Sequence, residues 1–262
     1  MQAYNFFVVF FFIILCYYNV IKFKGMIYIM AYVFLIIGLV VTITFLTRRT
    51  AKVTLNVAFL KAVASMCFIL TGLFAFVGND NCPRIVGALV AVGAAWGMLG
   101  DIALDLKYVF KKYEYNYTNA GFCSFLAGHI FYISAMYFAF GFDKIALIMG
   151  AVCSVIAFTF VFYSEPLLKI KYGKYKTITV FYMAALGAVT GVAIGYAISS
   201  RYQLAQTLLN AGFMLFLASD AVLSGLYFSL DEKKKTKRSS IVLNHILYYS
   251  AQFCIAISLL FI

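Results

Sequence analysis

Apolar residues run in long blocks along this chain, and short polar stretches interrupt them at nearly regular intervals. Nine apolar segments can be drawn, at about 3–21, 26–47, 53–77, 84–106, 119–141, 144–163, 175–198, 205–229 and 240–262. Each approaches the roughly 20 residues that a helix needs to cross a bilayer, and each is far longer than a strand of a membrane barrel. No water reaches the hydrocarbon core, so the segments must satisfy their own backbone hydrogen bonds as helices. The expected fold is all-α, a polytopic transmembrane helical bundle of eight to nine helices. No linker is long enough to separate two domains, so residues 1–262 are expected to form a single integral membrane domain.

Composition sharpens this picture. The chain is 65% hydrophobic and only 11% charged, whereas charged residues make up about a quarter of an ordinary soluble domain. A soluble catalytic domain, a disordered tail and a nucleic-acid-binding module are excluded as the main body of the chain. The net charge of +12 sits in the short polar stretches, where Lys and Arg set topology and touch anionic lipid. The loops after segments 2, 4, 6 and 8 hold fifteen basic residues: Arg48, Arg49, Lys52, Lys107, Lys111, Lys112, Lys169, Lys171, Lys174, Lys176, Lys233, Lys234, Lys235, Lys237 and Arg238. The loops after segments 1, 3, 5 and 7 hold five: Lys22, Lys24, Arg84, Lys144 and Arg201. Basic residues are retained on the cytoplasmic side, which places the N-terminus inside and the C-terminus outside. The N-terminal apolar run lacks a basic flank and a small-residue cleavage site, so it is expected to be a retained helix rather than a signal peptide.

Two further sequence features carry structural expectations. Five of the six cysteines lie in apolar segments, all except Cys82, and no C-x-x-C spacing occurs. Neither a disulfide framework nor a thiolate metal site is indicated. Gly187, Gly191 and Gly195 in segment 7, with Gly93 and Gly97 in segment 4, fall at helical spacing and are expected to let helices pack closely.

Candidate chemistry lies in the charges that ought not to be in a membrane. Asp101, Asp105 and Asp220 fall within or at the end of apolar segments, as do Lys61, His129 and His245. A carboxylate there costs about 2.5–3.5 kcal/mol on insertion scales, so one that persists faces the bundle interior and has a partner or a task. With a rise of about 1.5 Å per residue from the cytoplasmic end, His245 and Asp101 lie about 8 Å deep, Lys61 about 12 Å, Asp220 about 13 Å and His129 about 15 Å. Five helices thus bring an ionisable group to one layer in the inner half of the membrane. Asp101, Asp220 and His129 are the expected acid-base residues. Asp105, near the loop, is expected to be a solvated helix end. Lys61 is either a counter-ion to an aspartate or a substrate contact, and His245 is either structural or catalytic.

Four stretches then carry a likeness. Gly100-Asp101 in WGMLGDIALDL, His129 and Tyr132 in GFCSFLAGHIFYI, Ser219-Asp220 in AGFMLFLASDAVLSGLYF, and Tyr248-Tyr249 with Ala251-Gln252 in ILYYSAQF resemble the YhhN, or TMEM86-like, family of lysoplasmalogenases, in order, over segments 3 to 9. Lys61-Ala62 stands where the family has Lys-Pro, His245 has no counterpart, and segment 1 is an addition to the family's eight helices. The resemblance implies hydrolysis of the vinyl ether bond of a lysoplasmalogen to a fatty aldehyde and a glycerophospho-alcohol. Such a site needs one carboxyl held protonated and one held ionised, which assigns the pair to Asp101 and Asp220, with His129 orienting groups or shuttling protons. Lys61, Tyr132, Ser219, Tyr248, Tyr249 and Gln252 are the expected substrate-binding group, and the basic loops would hold the phosphate. The expected partners are a lysophospholipid substrate and membrane lipid, with no nucleic acid, no cofactor, no bound metal and no defined oligomeric state. A bacterial cell membrane is the expected location.

Two other readings use the same residues. Asp101, His129, Asp220 and His245 would serve as zinc ligands in an intramembrane lipid hydrolase, although no H-x-x-x-H or H-E-x-x-H spacing is present. A proton- or cation-coupled transporter would use them too, but it needs a pathway through both membrane halves.

Overall fold

The computed structural model describes residues 24–262; segment 1, at 3–21, lies outside them. Eight long helices follow the remaining eight segments: α1 (Lys24–Arg48), α2 (Leu55–Gly78), α3 (Arg84–Val109), α4 (Glu114–Phe140), α5 (Lys144–Leu168), α6 (Lys176–Ser199), α7 (Leu204–Phe228) and, after a short α8 (Glu232–Thr236), α9 (Arg238–Ser258). All eight are long and apolar enough to cross a membrane. The chain is a multi-pass, all-α membrane protein.

Local sequence sets where the helices begin and end. Thr54 and Asp143 cap α2 and α5 by accepting from the backbone N–H of Val57 and Ala146, which satisfies donors that the first turn leaves free. Gly141, at φ +77°, ends α4 in a conformation that side chains other than glycine resist. The helices outrun the apolar segments on the basic side. α4 begins at Glu114 rather than 119, and α5 continues through Pro166 to Leu168. Polar residues therefore extend helices beyond the hydrocarbon, where hydropathy gives no signal.

Six helices form a closed ring in the order α2, α3, α4, α6, α7, α9 and back to α2. α1 lies outside it against α2, and α5 lies outside against α6. These two outer helices carry large exposed apolar residues, such as Ile36, Val40 and Ile43 on α1 and Ile148, Val155 and Ile156 on α5. On a soluble protein such surfaces would aggregate; here they face lipid. The ring encloses the polar residues, and its helices α3 and α7 stand on opposite sides.

Glycine allows the closest of these approaches. A methyl carbon built on Gly191 of α6 would lie 2.2 Å from the Met149 carbonyl oxygen of α5, and one on Gly195 would lie 2.3 Å from Ala146 Cα. The expectation of close packing at these positions holds. At the basic end, a lone antiparallel bridge between Ile170 and Ser229 ties the α5–α6 turn to the end of α7. The Lys171 N–H donates to Phe228 O at 2.8 Å, and the Leu230 N–H donates to Lys169 O at 3.0 Å.

Gly191→Val is expected to destabilise the folded protein by about 1–3 kcal/mol, because a backbone oxygen cannot move aside for the new methyls. Gly225→Ala, where no atom lies within 4 Å of the new carbon, should be neutral or gain about 0.5–1 kcal/mol. Unfolding in detergent monitored by circular dichroism checks both; an equally stable Gly191→Val protein would contradict the packing.

Candidate functional site

A cavity of about 390 Å³ opens among the basic loops and runs into the ring. Its mouth is lined by Thr50, Lys111, Glu114, Lys235 and Thr236, and its inner wall by Lys61, Asp101, Ser219, Asp220, His245 and Tyr248 together with the rings of Phe122, Phe125, Tyr182 and Phe216. Residues from all six ring helices thus meet in one chamber, where charged and hydroxyl groups stand among apolar rings. Four of the five groups placed in one layer by depth, namely Lys61, Asp101, Asp220 and His245, line it.

The two aspartates sit in unlike settings. Asp101, on α3, is 3% exposed. Its Oδ1 lies 3.0 Å from Lys61 Nζ, while its Oδ2 accepts from Ser65 Oγ at 2.7 Å and from Tyr248 Oη at 2.7 Å. A row of side chains supports that last contact: Tyr132 donates to Gln252 Oε1 at 3.1 Å, and Gln252 Nε2 donates to Tyr248 Oη at 3.3 Å. Tyr249 Oη donates to Lys61 O at 3.0 Å and lies 3.4 Å from Ser65 Oγ. Asp220, on α7, has one side-chain donor, the Tyr182 hydroxyl of α6, on its Oδ2. Among the described residues no cation pairs with Asp220.

Asp105 corrects an expectation. It is not a solvated helix end but 1% exposed, gripped by Arg49 through two parallel bonds, Nη1 to Oδ2 at 3.0 Å and Nη2 to Oδ1 at 2.9 Å. Lys61 Nζ lies 3.6 Å from Asp105 Oδ1 as well. Arg49, Asp105, Lys61 and Asp101 therefore form a row of alternating charge with no net charge. Burial works against the charge of Arg49, and the Asp105 carboxylate beside it outweighs that cost, holding the guanidinium above its ordinary pKa. Lys61 is ion-paired to Asp101 and also lines the cavity.

The histidines are held differently from the aspartates. His245 lines the cavity with its Nδ1 2.7 Å from Ile241 O and its ring edge-on to Phe45. His129 is buried but does not line the cavity. It packs edge-on to Phe216 at 5.0 Å and against Tyr182 at 5.7 Å between ring centroids, and neither ring nitrogen has a hydrogen-bond partner among the described residues. It touches neither aspartate. Of the expected substrate-binding group, Lys61, Ser219 and Tyr248 line the cavity, whereas Tyr132, Tyr249 and Gln252 stand behind it as hydrogen-bond support. Ser219 is engaged in a reciprocal lock with α9, donating to Asn244 O at 3.1 Å and accepting from Asn244 Nδ2 at 2.9 Å.

Sequence reasoning missed Arg49, Ser65, Tyr182 and Asn244. Arg49 counted only as a topology signal, while the other three are neutral polar residues that an apolar background hides. Among the described residues no three His, Cys, Asp or Glu side chains come together as a ligand set, and the aspartate that a zinc site would need at position 101 is taken by Lys61. Away from the basic loops, two small cavities beyond Tyr132 hold about 10 Å³ each and have mainly apolar linings.

The model of the YhhN family matches residues 63–259, well over half of the chain. The matched span holds Asp101, His129, Tyr132, Ser219, Asp220, Tyr248, Tyr249 and Gln252, and it begins just after Lys61. No curated protein and no solved structure matches.

Removing one member of a buried ion pair leaves the other uncompensated, at a cost of about 3–5 kcal/mol. Asp105→Asn should destabilise the protein by that amount in detergent unfolding. Arg49→Met combined with Asp105→Leu removes both charges together and should recover most of the loss; equal destabilisation by the single and double variants would contradict the paired geometry.

Proposed function

This chain belongs to the YhhN family, and we propose that it is a membrane-embedded hydrolase that cleaves the vinyl ether bond of lysoplasmalogens by two-aspartate acid-base catalysis. The observation that carries this reading is the pair of unlike aspartates, placed on opposite helices of the ring and lining one cavity.

Vinyl ethers are cleaved by acid, and the two settings divide the labour. Lys61, Ser65 and Tyr248 neutralise and hold Asp101 as a carboxylate. Among the described residues Asp220 has a hydroxyl and no cation beside it, so it serves as the neutral acid in a medium where an unpaired charge is costly. Asp220 gives its proton to the β-carbon of the vinyl ether, the electrons of the double bond form the new C–H bond, and a lone pair of the ether oxygen turns the neighbouring α-carbon into an oxocarbenium ion whose positive charge the Asp101 carboxylate stabilises. Water adds to the oxocarbenium carbon, the one bonded to the ether oxygen, as Asp101 takes its proton, producing a hemiacetal. The proton then passes from Asp101 to the glycerol oxygen as the bond to it breaks. The hemiacetal hydroxyl proton returns to Asp220, leaving aldehyde, alcohol and both aspartates as they began.

Other residues act on this pair rather than on substrate. The row Tyr132, Gln252 and Tyr248 positions Asp101, and His129 packs Tyr182 against Asp220. His129 is therefore a positioning residue in this scheme and not a proton shuttle. The cavity is open on the side of the basic loops, where a lipid of that leaflet places its ether bond just below its head group.

The test is aldehyde release from lysoplasmenyl-ethanolamine by the purified protein in detergent with EDTA present. Asp101→Asn and Asp220→Asn should each reduce turnover by about 100-fold or more, the scale of a lost acid-base group, while unfolding still shows a folded protein. Tyr182→Phe should retain measurable turnover at about one tenth of wild type. Undiminished activity in either asparagine variant would overturn the mechanism.

A further inference from the structure

Of the cations along the cavity wall, Arg49 and Lys61 are engaged by Asp105 and Asp101. Lys107 is not. It lies in the last turn of α3, 7% exposed, with Nζ 3.1 Å from the centroid of the Tyr227 ring and 5.0 Å from that of Tyr108. Aromatic faces attract an ammonium but do not neutralise it, and among the described residues no carboxylate forms an ion pair with Lys107. Glu114 on the same rim, and Asp105 two residues back on α3, attract it from beyond ion-pair distance. At the mouth, Lys235 is taken by Glu232 at 2.6 Å, whereas Lys111 is exposed and has no ion-pair partner among the described residues. The cavity therefore holds a built cationic position with no ion-paired anion among the described residues.

Its distance from the aspartates limits what that anion is. Lys107 follows Asp101 by six residues on one helix, a rise of about 9 Å. A ligand whose vinyl ether sits at Asp101 and Asp220 reaches Lys107 with a group a few bonds further toward the mouth. In a glycerophospholipid the group separated from the sn-1 oxygen by the glycerol carbons is the phosphate. We propose that Lys107, with Lys111 at the mouth, is a phosphate subsite, so that the cavity selects an ether lysolipid bearing a phosphate head group over its phosphate-free counterpart. This inference rests on the reading of the cavity as a lysolipid site, and it assigns to a residue of α3 the recognition expected from the loops as a whole.

The experiment is a binding comparison that needs no catalysis. The purified protein in detergent is titrated with a saturated 1-alkyl lysophosphoethanolamine, which has no vinyl ether to cleave, and with the corresponding 1-alkylglycerol. The wild type should bind the phosphate-bearing lipid about tenfold or more tightly, as expected for a charge-assisted contact. Lys107→Met, which keeps the stem against Tyr227, should bring the two affinities together, and Lys107→Arg should keep them apart. Equal affinities in the wild type, or a full preference in Lys107→Met, would overturn the subsite. Displacement of the lipid by an equal concentration of inorganic phosphate would assign the position to free phosphate and overturn the head-group assignment. The comparison also separates this inference from the hydrolase reading. A wild type that prefers the phosphate-bearing lipid but releases no aldehyde from a lysoplasmalogen leaves the subsite standing without the chemistry, and a wild type that hydrolyses without that preference leaves the chemistry without the subsite.

Discussion

Lys61 and Asp101 lie 3.0 Å apart, both almost fully buried, and the interior of this protein is arranged around that contact. A single charge in such a place costs several kcal/mol unless its partner is in good geometry and the remaining donors and acceptors are satisfied. The protein meets both conditions. Arg49 and Asp105 extend the contact into a neutral row of four charges, and Ser65 and Tyr248 fill the remaining acceptor positions on Asp101. The row is balanced within itself, and among the described residues no cation pairs with Asp220 across the chamber; Lys107, a cation left over, stands against Tyr227 near the mouth. The difference between the two aspartates follows from where these charges stand.

The scaffold exists to make that arrangement affordable. Apolar helices outside the ring meet the lipid, and around the chamber polar side chains of the ring find partners on neighbouring helices. The Ser219–Asn244 lock joins α7 to α9, and Tyr182 joins α6 to α7 through Asp220. These bonds hold Asp220 on one side of the chamber while the charge row holds Asp101 on the other. His129 is buried without a partner for either ring nitrogen among the described residues, and its contacts with Tyr182 and Phe216 tie it to the Asp220 side.

Much of the fold was legible because hydropathy is a strong signal at the length of a membrane span. Segments 2 to 9 each correspond to a long helix, with shifts only at ends such as Glu114 and Leu168, where polar residues continue a helix into water. The ionisable residues of the site were legible for a related reason: a charge in a 20-residue apolar run stands out. Asp105 was misjudged because depth along its own helix ignores what covers it, and the cover is Arg49 from a loop between two other helices. Tyr182, Ser65 and Asn244 left no mark, since neutral polar residues are common in membrane helices and only three-dimensional neighbours show which of them face an aspartate. His129 was found by its rarity, but rarity does not report direction, and its side chain lies behind the wall of the cavity.

The central claim is that the two aspartates differ in protonation within one cavity, and infrared spectroscopy of the carboxyl groups addresses it directly. A protonated carboxyl in an apolar site has a C=O stretch well separated from that of a carboxylate. In the folded protein near neutral pH, such a band should be present, vanish in Asp220→Asn and persist in Asp101→Asn. A band that vanishes in Asp101→Asn instead, or one absent from the wild type altogether, would contradict the account.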